Sequence, residues 1–382
     1  MSETIDYNSL SIAKHLHYQG KLWTYSKVPL ASKEDLSTYY SPWVAEPCRE
    51  IAKNPEKAYE YTRKYNSVAV ISDWSSVLWL GNIWGIAWLP VMEGKAVLFK
   101  AFWWIDAIPI VLTTQNPDEI IRTIEHISPT FGGINLEDIA APNCFYIEEE
   151  LKKRLSIPVF HDDQHGTAIV VLAWLINALK LAEKTFANIK IVISWAGAAG
   201  TAIAKLLHEY GTNNILVTDS QWVLYLGREK MNQYKDEIAQ YNIHKEQWQL
   251  KDIIKDADVF IGVSQPNLLS GEDIKTMASR PIVFALANPN PEVIPEEAEK
   301  WNVFIYATGR SDYPNQINNL LVFPGIFKWA LKYRKSAITT AHKIAAAEVL
   351  AMCVQTPTVH SIIPSPLEPW IADKIAESMK NI

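Results

Sequence analysis

The stretch Asn188-Ile-Lys-Ile-Val-Ile-Ser194, followed by Trp195-Ala196-Gly197-Ala198-Ala199-Gly200, decides the fold of this chain. Its first part is an apolar run typical of a buried strand, and its second part is rich in small residues and leads into a helical pattern. A second apolar run, residues 214–218, ends in Asp219. This order predicts a strand, a tight turn, a helix and a second parallel strand, with an acidic residue at the edge of the sheet.

The turn matches the dinucleotide-binding fingerprint G-x-G-x-x-G except at its first position, which is Trp195. In this motif the second glycine, here Gly197, lets the backbone approach a pyrophosphate, and the helix N-terminus supplies N–H donors. Asp219 stands where an acid would hydrogen-bond the adenosine ribose, which favours NAD over NADP. A bulky residue at the first position strains or blocks the turn. The alternative is an ordinary strand–turn–helix with an unremarkable acid. The candidate cofactor residues in this unit are Trp195, Ala196, Gly197, Ala198, Ala199, Gly200 and Asp219.

Short apolar runs alternate with helical patterns on both sides of this unit, which predicts the α/β class. We expect an N-terminal α/β substrate and metal domain over residues 1–165 and a Rossmann-type, doubly wound parallel sheet over residues 166–330. We expect the helices of residues 331–382 to pack back on the first domain. Further strands are predicted at residues 67–72, 76–80, 108–112, 133–136, 258–263, 282–286 and 303–306.

Length and composition exclude several protein classes. A chain of 382 residues exceeds what one core usually organises. A net charge of −6 without basic runs argues against nucleic-acid binding. The N-terminus is polar, and the longest apolar run is shorter than the roughly 20 residues of a membrane span. Cys48, Cys144 and Cys353 are isolated, which favours a reducing cytoplasm over a disulfide framework or a zinc site.

Two acidic pairs follow predicted strands. Glu137-Asp138 closes one run, and Asp162-Asp163 follows another, residues 158–160. Carboxylates at strand ends can converge on Mg²⁺ or Mn²⁺, which prefer oxygen ligands. Either pair alone is more often a solvated loop. His161 and His165 could ligate a metal, although capping or supporting roles are commoner for such histidines.

Two further residues are candidates for proton transfer. Lys95 lies in a mostly apolar segment, where burial would lower its pKa and make it usable as a base. Alone, it is more often a surface lysine whose stem covers apolar neighbours. Tyr40 precedes Ser41-Pro42, and its phenol could be a structural hydroxyl or a proton donor.

Taken together, these segments resemble the malic enzymes, specifically their short bacterial form, over roughly residues 30–382. The resemblance rests on the fingerprint and on a set of separate motifs. These motifs are Tyr40-Ser-Pro, residues 89–100, Phe131-Gly-Gly-Ile-Asn-Leu-Glu-Asp138, Pro158-Val-Phe-His-Asp-Asp-Gln-His-Gly-Thr167, Phe284-Ala-Leu-Ala-Asn-Pro289, Ala307-Thr-Gly-Arg-Ser-Asp312, and Asn318-Asn319 before Phe323-Pro-Gly325.

The resemblance implies oxidative decarboxylation of L-malate to pyruvate and CO₂ with reduction of NAD(P). It implies Lys95 as the base, Asp162 as its partner and Tyr40 as the acid that protonates C3. Metal ligands would be Glu137, Asp138 and Asp163, holding Mg²⁺ or Mn²⁺. Substrate and nicotinamide contacts would come from Lys95, Asn288, Asn318 and Asn319, with Asn288 also on the cofactor side. The family is typically dimeric or larger.

Two alternatives stay open from the sequence. One is a related reaction, malolactic conversion or oxaloacetate decarboxylation with bound cofactor. The other is a non-catalytic homologue whose cofactor site is closed by tryptophans.

Tryptophan replaces glycine in a patterned way relative to the family. Glycine is 15 of 382 residues, well below the average of about 7%, and tryptophan is also 15. Some bacteria read the codon UGA as glycine, and a translation that reads it as tryptophan would write Trp at each such site. Reading the affected positions as glycine restores an average glycine content and leaves three tryptophans. The rival explanations are a designed variant or a degenerate homologue. The affected positions are Trp43, Trp74, Trp79, Trp84, Trp88, Trp103, Trp104, Trp174, Trp195, Trp222, Trp301 and Trp329.

Overall fold

The computed structural model describes residues 6–77, 81–310, 312–365, 368 and 370–382. Its strands are β1 (Ser67–Ser72), β2 (Asp106–Val111), β3 (Gly133–Leu136), β4 (Val159–His161), β5 (Lys190–Ser194), β6 (Asn214–Val217), β7 (Val259–Gly262), β8 (Ile282–Ala285) and β9 (Ile305–Thr308).

The α-helices alternate with these strands through most of the chain. They are α1 (Tyr7–Tyr18), α2 (Lys33–Tyr39), α3 (Ala45–Lys53), α4 (Ala58–Tyr61), α5 (Gly85–Trp103), α6 (Pro117–Ile127), α7 (Asn143–Arg154), α8 (Asp162–Ala182), α9 (Ala198–Glu209), α10 (Gln233–Ala239), α11 (Leu250–Ile253), α12 (Gly271–Lys275), α13 (Pro295–Lys300), α14 (Phe323–Lys332), α15 (Thr340–Met352) and α16 (Trp370–Ser378).

The first sheet has the order β2-β1-β3-β4, and all its strands are parallel. Every residue of β1 and β3 is buried. A parallel sheet covered on both faces explains why these strands read as continuous apolar runs rather than as an alternating pattern. The acidic residues that follow β3 and β4 therefore emerge at one edge of the sheet.

The second sheet has the order β6-β5-β7-β8-β9, again all parallel. The chain passes from β5 outward to β6 and then returns to β7 on the other side of β5. Ligands of such sheets bind at this reversal, outside the carboxyl ends of the strands. The turn at residues 195–200 lies at the carboxyl end of β5, so the mixed α/β class with a Rossmann-type sheet is confirmed.

Helix α8 is the central helix of the molecule. It is long and apolar enough to cross a membrane by length and composition, but most of it is buried inside the protein. It packs against α9 and α15. Helix α14 packs on α5 through Phe99, whose ring centroid lies 4.9 Å from that of Phe323 and 5.5 Å from that of Phe327.

Three predicted boundaries differ from the observed ones. The sequence predicts a helix from about Thr167, but α8 begins five residues earlier, at Asp162, because the side chain of His161 accepts the N–H of Gln164 and caps the helix there. The single helical stretch that the sequence predicts over residues 327–352 forms parts of two helices, α14 and α15, separated by residues 333–339. In the predicted strand of residues 76–80, Val77 makes one antiparallel bridge to Gly81. Residues 78–80, including Trp79, lie outside the described residues.

Candidate active site

Three elements of the N-terminal half bring a lysine and two carboxylates together. Lys95 lies on α5, Glu137 follows β3, and Asp162 is the first residue of α8; all three are buried. The Lys95 Nζ lies 2.8 Å from Glu137 Oε1 and also hydrogen-bonds Asp162 Oδ2. The same ammonium lies 4.1 Å from the centroid of the Phe323 ring. The structure thus joins residues that are 42 and 67 positions apart in the sequence.

The expected low pKa of Lys95 is wrong. Burial alone would lower it, but the negative charges of Asp162 and Glu137 outweigh burial and raise the pKa of Lys95 above its ordinary value. The apolar neighbours in the sequence indicated the burial but not the two carboxylates. As long as both carboxylates are charged, Lys95 keeps its proton.

Asp162 is held through one of its two carboxylate oxygens. Its Oδ2 accepts a hydrogen bond of 2.7 Å from Asn319 Nδ2. Its Oδ1 is buried and has no partner among the described residues. A Cβ at Gly166, one turn along α8, would lie only 1.9 Å from this oxygen, so glycine is required there. The second asparagine, Asn318, instead caps the next turn by accepting the N–H of Leu320.

Glu137, Asp138 and Asp163 form the remaining acidic group. The N–H of Asp138 donates to Asp163 Oδ2 at 2.8 Å, and Asn135 Nδ2 donates to Glu137 Oε2 at 2.9 Å. Burial, followed by mutual repulsion of the carboxylates, raises the pKa of Asp138 well above its ordinary value. Burial also raises the pKa of Glu137 and of Asp163. When ionised, the three carboxyls carry more negative charge than the single ammonium of Lys95 balances. Within the described ranges, however, no three side chains form a ready metal-binding group.

A buried network beneath the cluster went unnoticed in the sequence. Glu148, in the middle of α7, accepts the N–H of His161 at 3.0 Å and contacts His165 Nε2 at 2.8 Å. The buried Lys343 of α15 contacts the other ring nitrogen of His165 at 3.0 Å. Burial lowers the pKa of His165 to about 3 and that of Lys343 to about 7. The two histidines therefore support the start of α8, as the commoner interpretation held.

Asp73 is a second omission. It follows β1 directly and is buried, and its Oδ2 has no partner among the described residues. Ser72-Asp73 at the end of a predicted strand was the same signal that drew attention to the other acidic pairs.

The predicted cofactor turn has the expected strand and helix around it. β5 ends at Ser194, and α9 begins at Ala198 with Gly197 as its N-cap. A Cβ at Gly200 would lie 2.0 Å from the carbonyl oxygen of Trp195, so the turn tolerates only glycine there. Asp219 follows β6, as expected.

Asp219 is more heavily paired than the sequence suggested. Both terminal nitrogens of Arg228 hydrogen-bond its carboxylate, and Lys235 Nζ lies 2.7 Å from Oδ2. Although burial opposes it, these hydrogen bonds hold the pKa of Asp219 well below its ordinary value. Two cations beside the acid weaken the argument that its charge must repel a 2′-phosphate.

Two cavities flank the turn. One of about 220 Å³ is lined by Phe145, Gly197 and Lys235, and one of about 920 Å³ is lined by Thr218, Trp222 and Ser264. Trp195 and Asp219 line both. Asn288, three residues after the end of β8, packs against Gly309, where a Cβ would lie 2.6 Å from Asn288 Nδ2.

Tyr40 is the one predicted catalytic residue that the structure leaves apart. It follows α2 with its side chain 72% exposed. In the described part of the chain no contact joins it to Lys95 or to the carboxylates.

Two family models match the chain. They are "Malic enzyme, N-terminal domain" over residues 19–152 and "Malic enzyme, NAD binding domain" over residues 164–376.

Relatives of known identity are similar over nearly the whole length. A bifunctional malic/malolactic enzyme of Bacillus subtilis is 52% identical over 373 residues, which is 96% of this chain and 91% of that protein. An NAD-dependent malic enzyme of Geobacillus stearothermophilus is 50% identical over 367 residues, 95% of this chain and 77% of that protein. The crystal structure of an NAD-dependent malic enzyme from Thermotoga maritima has a TM-score of 0.94 at 44% identity, covering 99% of this chain and all of that one.

Proposed function

The chain belongs to the malic enzyme family, whose reaction is the oxidative decarboxylation of malate with NAD or NADP, and from this premise we propose how its residues carry that reaction. The observation that carries the proposal is the buried Lys95 ammonium in contact with Glu137 and Asp162. Lys95 takes the C2 hydroxyl proton of malate as hydride leaves C2 for the nicotinamide. Asp162 orients Lys95 and accepts its hydrogen bond throughout.

The raised pKa of Lys95 sets a condition on this role. A protonated lysine cannot act as a base, so the charge of the neighbouring carboxylates must be offset before the proton transfer. Asp162 keeps the hydrogen bond that Asn319 donates to it, and it therefore holds the Lys95 side chain in position while the proton is transferred. The arrangement suits a base that becomes active only in the fully assembled site.

We propose that Glu137, Asp138 and Asp163 hold Mg²⁺ or Mn²⁺. The set fits a hard divalent cation because all its donor atoms are oxygens. When ionised, its three carboxylates also carry more negative charge than the one positive charge of Lys95 can balance. Such a cation, when bound, supplies Lewis acidity toward the substrate oxygens and offsets the carboxylate charge. Titration with Mn²⁺, followed by the paramagnetic resonance of the free ion, tests this assignment. D163N should weaken binding, whereas D118N, on the exposed start of α6, should not.

The cofactor proposed for the second sheet is NAD, with NADP as the alternative. Asp219 stands at the carboxyl end of β6, where an acid accepts the ribose hydroxyls. Arg228 and Lys235 form ion pairs with the Asp219 carboxylate, and the same two cations could also bind a 2′-phosphate. Asn288 and Asn319 are proposed for the nicotinamide and substrate-carboxylate side, with Asn318 nearby.

We propose a homodimer or higher oligomer in which Tyr40 reaches the active site of a second copy. Helices α1, α2 and α3 contain no buried residue, and they expose apolar side chains such as Leu16. Tyr40 sits in this uncovered segment, away from Lys95, although its role as the acid at C3 needs contact with the substrate. A second copy would both cover the helices and deliver the phenol.

Coexpression of Y40F and K95A chains tests this arrangement. If Tyr40 acts across the interface, each mixed dimer has one intact site and recovers activity that neither variant has alone. If Tyr40 acts within its own chain, both sites of the mixed dimer carry a lesion and no activity returns.

The central experiment measures NADH formed from malate by K95A and by K100A. Lys100 lies on the same helix and pairs with Asp106 at 2.7 Å, outside the cluster. We expect K95A to lose about 10²- to 10⁴-fold in kcat, the range for a lost general base, and K100A to stay near the parent. A K95A protein with parental kcat would refute the assignment.

A malolactic reaction is the second candidate, because one close relative is named a bifunctional malic/malolactic enzyme. Here the hydride returns to the product, so lactate forms without net NADH. Measuring lactate and NADH in the same malate reaction separates the two outcomes.

A further inference from the structure

Three tryptophans occupy a backbone conformation that tryptophan rarely adopts. Trp74 has φ 54°, Trp104 has φ 58° and Trp195 has φ 84°. In this left-handed region a Cβ crowds the following carbonyl, and only glycine enters it freely. All three belong to the twelve positions at which the resemblance calls for glycine. The other eleven tryptophans among the described residues, including Trp23, Trp248 and Trp370, have no positive φ.

Trp104 illustrates the mismatch between residue and position. It ends α5 in the left-handed conformation, and its N–H donates to the carbonyl of Lys100 at 3.0 Å. This is the helix C-cap position that glycine usually fills. The indole is 74% exposed, so its burial contributes little to offset the backbone strain.

The indole ring of Trp195 lies over the turn that is proposed to bind the cofactor. Its indole Cδ1 lies 2.8 Å from where a Cβ of Gly197 would be, so the ring covers the glycine at the start of α9. The side chain is 46% exposed and lines both the cavity of about 220 Å³ and the cavity of about 920 Å³. Removing the indole would join the two spaces over the helix N-terminus, where a pyrophosphate binds.

The buried tryptophans among these twelve positions provide an independent indication. Trp103 and Trp174 are buried, and their indole Nε1 atoms have no hydrogen-bond partner in the described parts of the chain. A buried donor without a partner is costly, and tryptophans selected for a core usually have one. Trp329 does find a partner, the carbonyl of Met379 at 2.8 Å, so the sign is not uniform.

We infer that positions 74, 104 and 195 are glycine in the protein as its source organism makes it, through decoding of UGA as glycine, and that glycine at position 195 opens one continuous cofactor cleft. The consequence for the cofactor rests on the proposed function, whereas the identity of the residues does not.

Peptide mass spectrometry of the protein isolated from its source tests the identity directly. Trypsin releases residues 191–205 with position 195, residues 101–122 with positions 103 and 104, and residues 246–251 with Trp248. We expect the glycine mass at positions 195 and 104 and the tryptophan mass at position 248. A tryptophan mass at position 195 would overturn the inference. A glycine mass at position 248, where φ is not positive, would show that the glycine positions cannot be identified from the backbone conformation.

Two recombinant proteins, one with Trp195 and one with W195G, test the consequence for NAD. Titration calorimetry should show NAD binding weaker by at least about tenfold with Trp195, because an overpacked site rejects its ligand. W195G should melt no lower than the parent, since it relieves a positive φ. Equal NAD affinity in the two proteins would overturn the cleft argument. Glycine in the native peptide together with no NAD binding by W195G would leave the decoding standing and refute the cofactor assignment.

Discussion

The edges of the two sheets carry the two halves of the proposed site, and these halves differ in how complete they are. At the edge of the first sheet, Lys95, Glu137, Asp162 and Asn319 meet in a buried, hydrogen-bonded cluster. At the edge of the second sheet, the strand, the helix and Asp219 are in place, but Trp195 covers the turn between them. The polar residues proposed for the chemistry are present, whereas three of the tryptophans at which the chain departs from its family occupy a left-handed conformation that favours glycine.

Removal of Glu148 should damage the first region most. E148A leaves the N–H of His161, the ring of His165 and the ammonium of Lys152 without their common partner. Breaking such a buried network typically costs about 3–5 kcal/mol, which urea unfolding measures. E150A on the same helix, whose partners Lys153 and Arg154 are at the surface, should cost much less, because exposed ion pairs contribute little to stability. Similar losses for both variants would contradict the role of Glu148.

Replacement of Asp219 should affect only the second region. With W195G as background, D219A removes the acceptor for the ribose and frees Arg228 and Lys235. We expect the KM for NAD to rise by about tenfold, the equivalent of one lost hydrogen bond, and the preference to shift toward NADP. Malate-independent decarboxylation of oxaloacetate should not change. A change in oxaloacetate decarboxylation alone, with the KM for NAD unchanged, would contradict the assignment of Asp219 to cofactor binding.

Lys343 should give an effect that is visible as a pH dependence of stability. The buried ammonium loses its proton near pH 7, whereas the unfolded chain keeps it to about pH 10.4. The unfolded state then binds more protons between these values, so the free energy of unfolding rises with pH across this window. K343M lacks this titration, and the stability of the parent relative to K343M should therefore increase from pH 7 to pH 10. K14M, on the exposed helix α1, should show no such trend relative to the parent. A pH-independent difference for K343M would contradict the assignment.

The sequence predicted the strands and the turn well because these depend on local patterns. β1 and β3 match their predicted bounds, and β5 ends where the fingerprint begins. The carboxylate pairs were found because acids directly after buried runs are a local signal. Asp73 carried the same signal and was missed only because it stands alone.

Contacts between distant segments could not be found in this way. Glu148 looks like one acid among several on a charged helix, and only its approach to His161 and His165 gives it a role. The pKa of Lys95 was predicted in the wrong direction because its counter-charges come from β3 and α8. The exposure of Tyr40 also depends on tertiary packing, which no local pattern indicates.

The most direct test of the account compares two reactions of the same two proteins. Oxaloacetate decarboxylation needs the lysine–carboxylate cluster but no hydride transfer, whereas malate oxidation needs the cofactor turn as well. With Mg²⁺ present, the Trp195 protein and W195G should decarboxylate oxaloacetate at similar rates, while NADH formation from malate at limiting NAD should be at least about tenfold faster in W195G. If the two activities rise together, or if the Trp195 protein forms NADH as fast as W195G, the division of the molecule into an intact cluster and an obstructed turn is wrong.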